Sequence, residues 1–123
     1  MNNENTHLVF VYGTLKRGFS NHHLLTSSKY IGDGKTLNGS IIDLGAYPGF
    51  VHSKESTGVH GELYEVTDEV FDDLDTLEGF PILYDRDMMD IRMDEDGRME
   101  YAWVYTYNGN TQGVSRVEDN MWL

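Results

Sequence analysis

The run Leu8-Val9-Phe10-Val11-Tyr12, unbroken in apolar side chains and halted by Gly13, constrains the fold more than any other stretch. Successive side chains of a strand point to opposite faces, so a strand of this composition is expected to be buried on both. With 123 residues the chain suffices for one compact domain, residues 1–123, and is short for two.

Other strand signals follow. Gly39–Leu44 and Val59–Val66 read as strands. Met89, Ile91 and Met93 alternate with Asp90, Arg92 and Asp94, and Met99, Tyr101, Trp103, Tyr105 and Tyr107 share one face of the next run, a face expected to pack into the core. Asp96-Gly97 between the last two is a hairpin signal. Pro48-Gly49 fits the centre of a type II turn, Asn21–Ser27 a short helical turn burying Leu24 and Leu25, and Met121-Trp122-Leu123 a docked tail. A longer helix is expected at Asp68–Glu78, with Thr67 as N-cap, acids in the first turn and Gly79 as the stop. The fold class is α+β, with a largely antiparallel or mixed sheet curled toward a small barrel.

Charge narrows the function. Twenty-one acids against nine Lys and Arg give a net charge of -12, unsuited to displacing counterions from nucleic acid or to meeting an anionic membrane. Residues 62–100 carry fifteen of the acids and three Arg, but no linker flanks that block, so it reads as a solvated face. Without cysteine there is no disulfide, thiolate nucleophile or cysteine-bound zinc. The five histidines show no zinc-ligand spacing, and no apolar run nears membrane-spanning length. Gly34-Lys35-Thr36 lacks the leading glycine of a phosphate loop, because position 29 is Lys29, and reads as an ordinary loop. A cytoplasmic monomer without metal or cofactor is the expectation.

One acid is out of place. On a helical wheel with Val70 at zero, Phe71, Leu74 and Leu77 fall near 100°, 40° and 340°, and Glu78 falls near 80°, inside their arc. The other acids of the helix fall outside it. A carboxylate aimed at the interior needs a cation or a task. Burial and the negative end of the helix dipole both raise its pKa, toward a value that suits proton transfer at neutral pH. The wheel leaves three outcomes open: a structural pair with Arg86, a frayed helix end that frees the side chain into water, or an acid/base. The loop Gly13–Gly18 offers a second feature: it is an ordinary strand-to-helix connection, or its consecutive N–H groups after a buried strand form an anion nest, which Lys16 and Arg17 would reinforce.

The segment Val9-Phe10-Val11-Tyr12-Gly13-Thr14-Leu15-Lys16-Arg17-Gly18 with Asn21-His22, and later Leu74–Arg86 around Glu78-Gly79-Phe80-Pro81, resemble the γ-glutamylcyclotransferase-like superfamily, closest to its γ-glutamylamine cyclotransferase branch. Tyr47-Pro48-Gly49, Gly61–Val66 and the Trp122 ending sit in matching order. The resemblance implies a small mixed barrel with flanking short helices and a pocket for a small-molecule γ-glutamyl substrate. It also implies that Tyr12, Gly13, Thr14 and Leu15 form the substrate-binding loop and that Glu78 is the catalytic acid/base. Tyr84 is then placed to hydrogen-bond Glu78 or substrate, unless it is a core tyrosine with its hydroxyl satisfied elsewhere. Arg86 is taken as structural. The implied reaction is cyclisation to 5-oxoproline with release of an amine; the rival is a catalytically silent module that binds a γ-glutamyl-like ligand or a peptide.

Overall fold

The computed structural model describes residues 5–54 and 56–123. In chain order it contains β1 (Thr6–Val11), a 3-10 turn (His22–Leu25), β2 (Lys29–Thr36), β3 (Ser40–Asp43), β4 (Pro48–Val51), β5 (His60–Thr67), α1 (Asp68–Glu78), β6 (Tyr84–Met93), β7 (Met99–Tyr107) and a 3-10 turn at Glu118–Asn120. Five strands close a barrel in the order β1-β5-β2-β6-β7, and β3 and β4 form a separate two-stranded sheet. The barrel pairs are antiparallel except for β1 and β7, whose parallel contact at Val9–Trp103 and Phe10–Val104 completes the ring. This is the mixed α+β barrel that the sequence led one to expect. Among the described residues, no helix is long and apolar enough to cross a membrane.

Strand β1 is buried on both faces, as its composition demands. Val9 and Val11 pack with Tyr64, Tyr105 and the α1 residues Phe71 and Leu74. Phe10 and Tyr12 pack on the opposite side with Leu63, Ile91, Val104 and Phe50 of β4. The alternation of one strand thus feeds two cores.

Helix α1 has the predicted bounds. The Thr67 hydroxyl accepts the Val70 N–H at 3.2 Å. At the other end Gly79 takes the left-handed conformation (φ 66°), the Gly79 N–H donates to the Thr76 carbonyl and the Phe80 N–H to that of Asp75. That pairing closes a helix and turns the chain sharply away.

Three local expectations are corrected. Gly34-Lys35-Thr36 is not loop but the end of β2, paired with both β5 and β6. Pro48-Gly49 is not a turn centre but the start of β4, opposite Asp43 and Ile42; proline at the first position of such a strand forfeits little. The turn itself is Leu44–Tyr47, where the Leu44 N–H meets the Tyr47 carbonyl at 3.0 Å. Finally, the aromatic face of β7 is covered at one end only: Trp103, Tyr105 and Tyr107 join the core, whereas Met99 and Tyr101 lie exposed. In the tail Trp122 docks against the core and Leu123 stays outside.

Arg86 of β6 clamps α1 to the barrel. Its guanidinium meets both oxygens of Asp75, at 2.9 and 3.1 Å, and lies 4.3–4.5 Å from the ring centres of Phe71, Phe80 and Trp103. The Tyr105 hydroxyl donates to the same carboxylate at 2.7 Å. Both charged side chains are under one-fifth exposed, at 18% and 19%, so the pair is desolvated enough that removing one partner strands the other. Replacing Arg86 with Met keeps the stem and removes the fork and the stacking. Arg86→Met is expected to cost about 2–3 kcal/mol in urea unfolding, and a loss below about 0.5 kcal/mol, the level of a neutral surface change, would refute the clamp.

Candidate functional site

The end of β1, the end of α1 and the start of β4 meet around a cavity of about 300 Å³, small-molecule in size. Tyr12, Gly13, Thr14 and Leu15 form one wall, Glu78 and Tyr84 another, and all six sequence-predicted residues line it. The Cβ of any other residue at position 13 would stand 2.7 Å from the Pro48 ring, so glycine alone lets the loop lie against β4.

Beyond Tyr12 the chain makes a tight turn in which the Lys16 N–H donates to the Gly13 carbonyl at 3.0 Å. The Asn21 N–H then bonds the Thr14 carbonyl, and its side-chain amide the Thr14 hydroxyl, both at 2.9 Å. The N–H groups of Gly13, Thr14 and Leu15 donate to no protein acceptor among the described residues. Unspent amide donors on a cavity wall can receive an anion.

Lys16 and Arg17 do not reinforce that nest, contrary to expectation. Lys16 Nζ donates to the Trp122 carbonyl at 2.7 Å, and burial lowers its pKa. Arg17 gives its N–H and Nε to the two oxygens of Glu62, at 2.9 and 3.4 Å, and reaches Asp33 at 3.2 Å. Neither lines the cavity. Their role is to anchor the loop from outside. Glu62, which sequence reasoning missed, is the buried anchor and also accepts the Tyr64 hydroxyl at 2.9 Å. Its place in a strand among apolar neighbours was the available signal.

Glu78 closes α1 and is mostly withdrawn from solvent. Burial pushes its carboxyl up from the usual 4.5 to about 7. The alternative of an ion pair with Arg86 is overturned, because that guanidinium belongs to Asp75. Asp75, just outside the apolar arc on the wheel, is therefore a second acid turned inward, and it was missed. Among the described residues no hydrogen bond or ion pair engages Glu78. A desolvated carboxyl with no partner titrates where proton transfer at neutral pH is easiest.

Three tyrosines surround it, and each hydroxyl is spoken for. Tyr12 donates to the Tyr105 carbonyl at 2.7 Å and accepts the Phe50 N–H at 3.0 Å. Tyr84 donates to the Pro48 carbonyl at 2.7 Å, and Tyr105 to Asp75. Burial first, then Tyr84 and Glu78 for Tyr12, Glu78 for Tyr84, and Asp75 ahead of Glu78 for Tyr105, pushes all three phenols well up, so they stay protonated. The Tyr84 hydroxyl is thus satisfied by the backbone, the core-tyrosine alternative, while the residue still lines the cavity. No group of three or more His, Cys, Asp or Glu among the described residues is gathered to hold a metal ion.

Comparison with known proteins gives the family. Residues 9–123 match the family model described as "Gamma-glutamyl cyclotransferase, AIG2-like". A Vibrio cholerae protein named provisionally as a gamma-glutamylcyclotransferase is 39% identical over 117 residues, covering 94% of this chain and 95% of its own. The gamma-L-glutamyl-butirosin B gamma-glutamyl cyclotransferase of Niallia circulans is 32% identical over 118 residues, covering 90% of this chain and 73% of its own. The crystal structure of an AIG2-like protein from Mus musculus superposes with a TM-score of 0.77 at 29% identity, covering 83% of this chain and 77% of that one. The chain belongs to the gamma-glutamyl cyclotransferase, AIG2-like family.

Proposed function

We propose that the protein cyclises a γ-glutamyl amide to 5-oxoproline and releases the amine, with Glu78 carrying the protons. The observation that supports this most strongly is the desolvated, unpartnered Glu78 carboxyl facing the amide-lined loop across one small cavity. The N–H groups of Gly13, Thr14 and Leu15 would hold the substrate's α-carboxylate, and Tyr12 and Tyr84 would wall the glutamyl chain.

The chemistry asks little more. The substrate's own α-nitrogen bonds to its γ-carbonyl carbon, closing a five-membered ring, while the bond from that carbon to the departing nitrogen breaks. The two protons lost by the α-ammonium end on the departing amine, so nothing else is consumed. Because nucleophile and electrophile share one molecule, holding the folded-back conformer supplies much of the acceleration. A carboxyl titrating near 7 takes a proton in the first half and returns it in the second without a large penalty either way.

Removing that carrier separates binding from chemistry. Glu78→Gln is expected to lower 5-oxoproline release from γ-glutamyl amides about a thousandfold, measured by chromatography of the product. A folded variant retaining a tenth or more of wild-type turnover would contradict the assignment.

The same carboxyl predicts a stability effect that needs no substrate. Its folded pKa of about 7 lies above the unfolded value near 4.5, so the unfolded state loses its proton first as pH rises. Glu78 therefore erodes stability between those two values, and the penalty is complete above the higher one. Glu78→Gln is expected to match wild type near pH 4 and to exceed it by up to about 3 kcal/mol near pH 8. A difference that does not change with pH in denaturant melts would refute it.

A further inference from the structure

The cavity wall holds one carboxyl and four tyrosines but no Lys, Arg or His. The cations nearest along the loop are committed elsewhere, Lys16 to the Trp122 carbonyl and Arg17 to Glu62 and Asp33. The loop amides supply a place for one carboxylate, that of the glutamyl unit. A second carboxylate on the amine portion would meet no counter-charge, beside an ionisable Glu78 and inside a protein of net charge -12. Desolvating it there would be unfavourable.

The outer lining has the opposite preference. Tyr47, Leu77 and Leu83 line the cavity and are still between 38% and 41% exposed, and Ile82 beside Leu83 is 86% exposed. These large side chains come from three separate segments: the β3–β4 turn, the last turn of α1 and the approach to β6. Scattered apolar side chains on a surface call for no explanation, but several gathered around a cavity mouth mark a place where apolar ligand surface is buried. The other polar side chains of the lining, Thr14, Ser20 and Asn21, are neutral.

We propose that Tyr47, Leu77 and Leu83 form an amine-selecting subsite, and that the protein takes γ-glutamyl amides whose departing amine is apolar and carries no carboxylate. This rests on the reading of the cavity as a γ-glutamyl site. It makes γ-glutamyl amino acids and glutathione poor donors and γ-glutamyl aralkylamides or alkylamides good ones.

The test compares γ-glutamyl-phenylalanine with γ-glutamyl-phenethylamide, which differ by the carboxylate alone, and adds γ-glutamyl-ethanolamide as a small polar amine. For wild type, kcat/KM is expected to be at least tenfold higher for the phenethylamide than for either of the others. Leu83→Arg, a change at an exposed position, is expected to shrink the phenethylamide-to-phenylalanine ratio at least fivefold by supplying the missing cation. Calorimetric binding of the same three donors to Glu78→Gln reads the subsite apart from chemistry and is expected to give the same order. If no donor is turned over but that order holds in binding, the subsite stands and the catalytic reading falls. Equal or reversed order in binding or turnover, or failure of all three to bind, overturns the subsite.

Discussion

The structure turns on where one guanidinium goes. Arg86 is eight residues beyond Glu78 and is the obvious partner for it, yet the fork closes on Asp75 and lies among the rings of Phe71, Phe80 and Trp103. That choice leaves Glu78 desolvated and uncompensated, and burial alone is then enough to carry its pKa to neutrality. Had the pairing been the other way, Glu78 would be a structural anion with a depressed pKa, and the cavity would contain no group able to exchange a proton at physiological pH. The same clamp also fixes the helix whose last residue Glu78 is, so that one interaction both positions the carboxyl and keeps it free.

The opposing wall is built by the same division of labour. Charged side chains hold the loop from behind, through Glu62 with Arg17 and through Lys16 with the tail carbonyl of Trp122, while the N–H groups of Gly13, Thr14 and Leu15 stay unspent on the residues that line the cavity. The tyrosine hydroxyls are likewise consumed in fastening β1 to β4, β6 to β4 and β7 to α1. The polar groups around Glu78 are thus spent on rigidity. A reaction whose main requirement is a single folded-back conformer of its substrate is well served by stiff walls and one mobile proton.

Much of this was legible in the sequence where the signal was local. The double burial of β1 follows from five consecutive apolar residues, both ends of α1 from Thr67 and Gly79, the β6–β7 hairpin from Asp96-Gly97, and the inward turn of Glu78 from helical spacing. What escaped depends on partners distant in sequence. Strand β2 carries Gly32 and Gly34 because Met93 and Ile91 of β6 fill the space their side chains would need, and so it shows no apolar alternation. Pro48 begins a strand whose existence is decided by β3 and by the close approach of Gly13. Asp75 looks like one more surface acid until Arg86 and Tyr105 arrive from β6 and β7. Lys16 and Arg17, read as a positive field, are claimed by residues 106 and 45 positions away. Periodicity reports which face a side chain occupies; it does not report which of two acids a cation selects.

The central claim concerns the protonation equilibrium of one carboxyl, and it can be read directly. Titration of the Glu78 side-chain carbon by carbon-detected NMR, with Glu78→Gln to assign the signal, should give a midpoint near 7. A midpoint at or below the ordinary glutamate value of about 4.5 would mean that the carboxyl is hydrated or paired, and would contradict the account of the site.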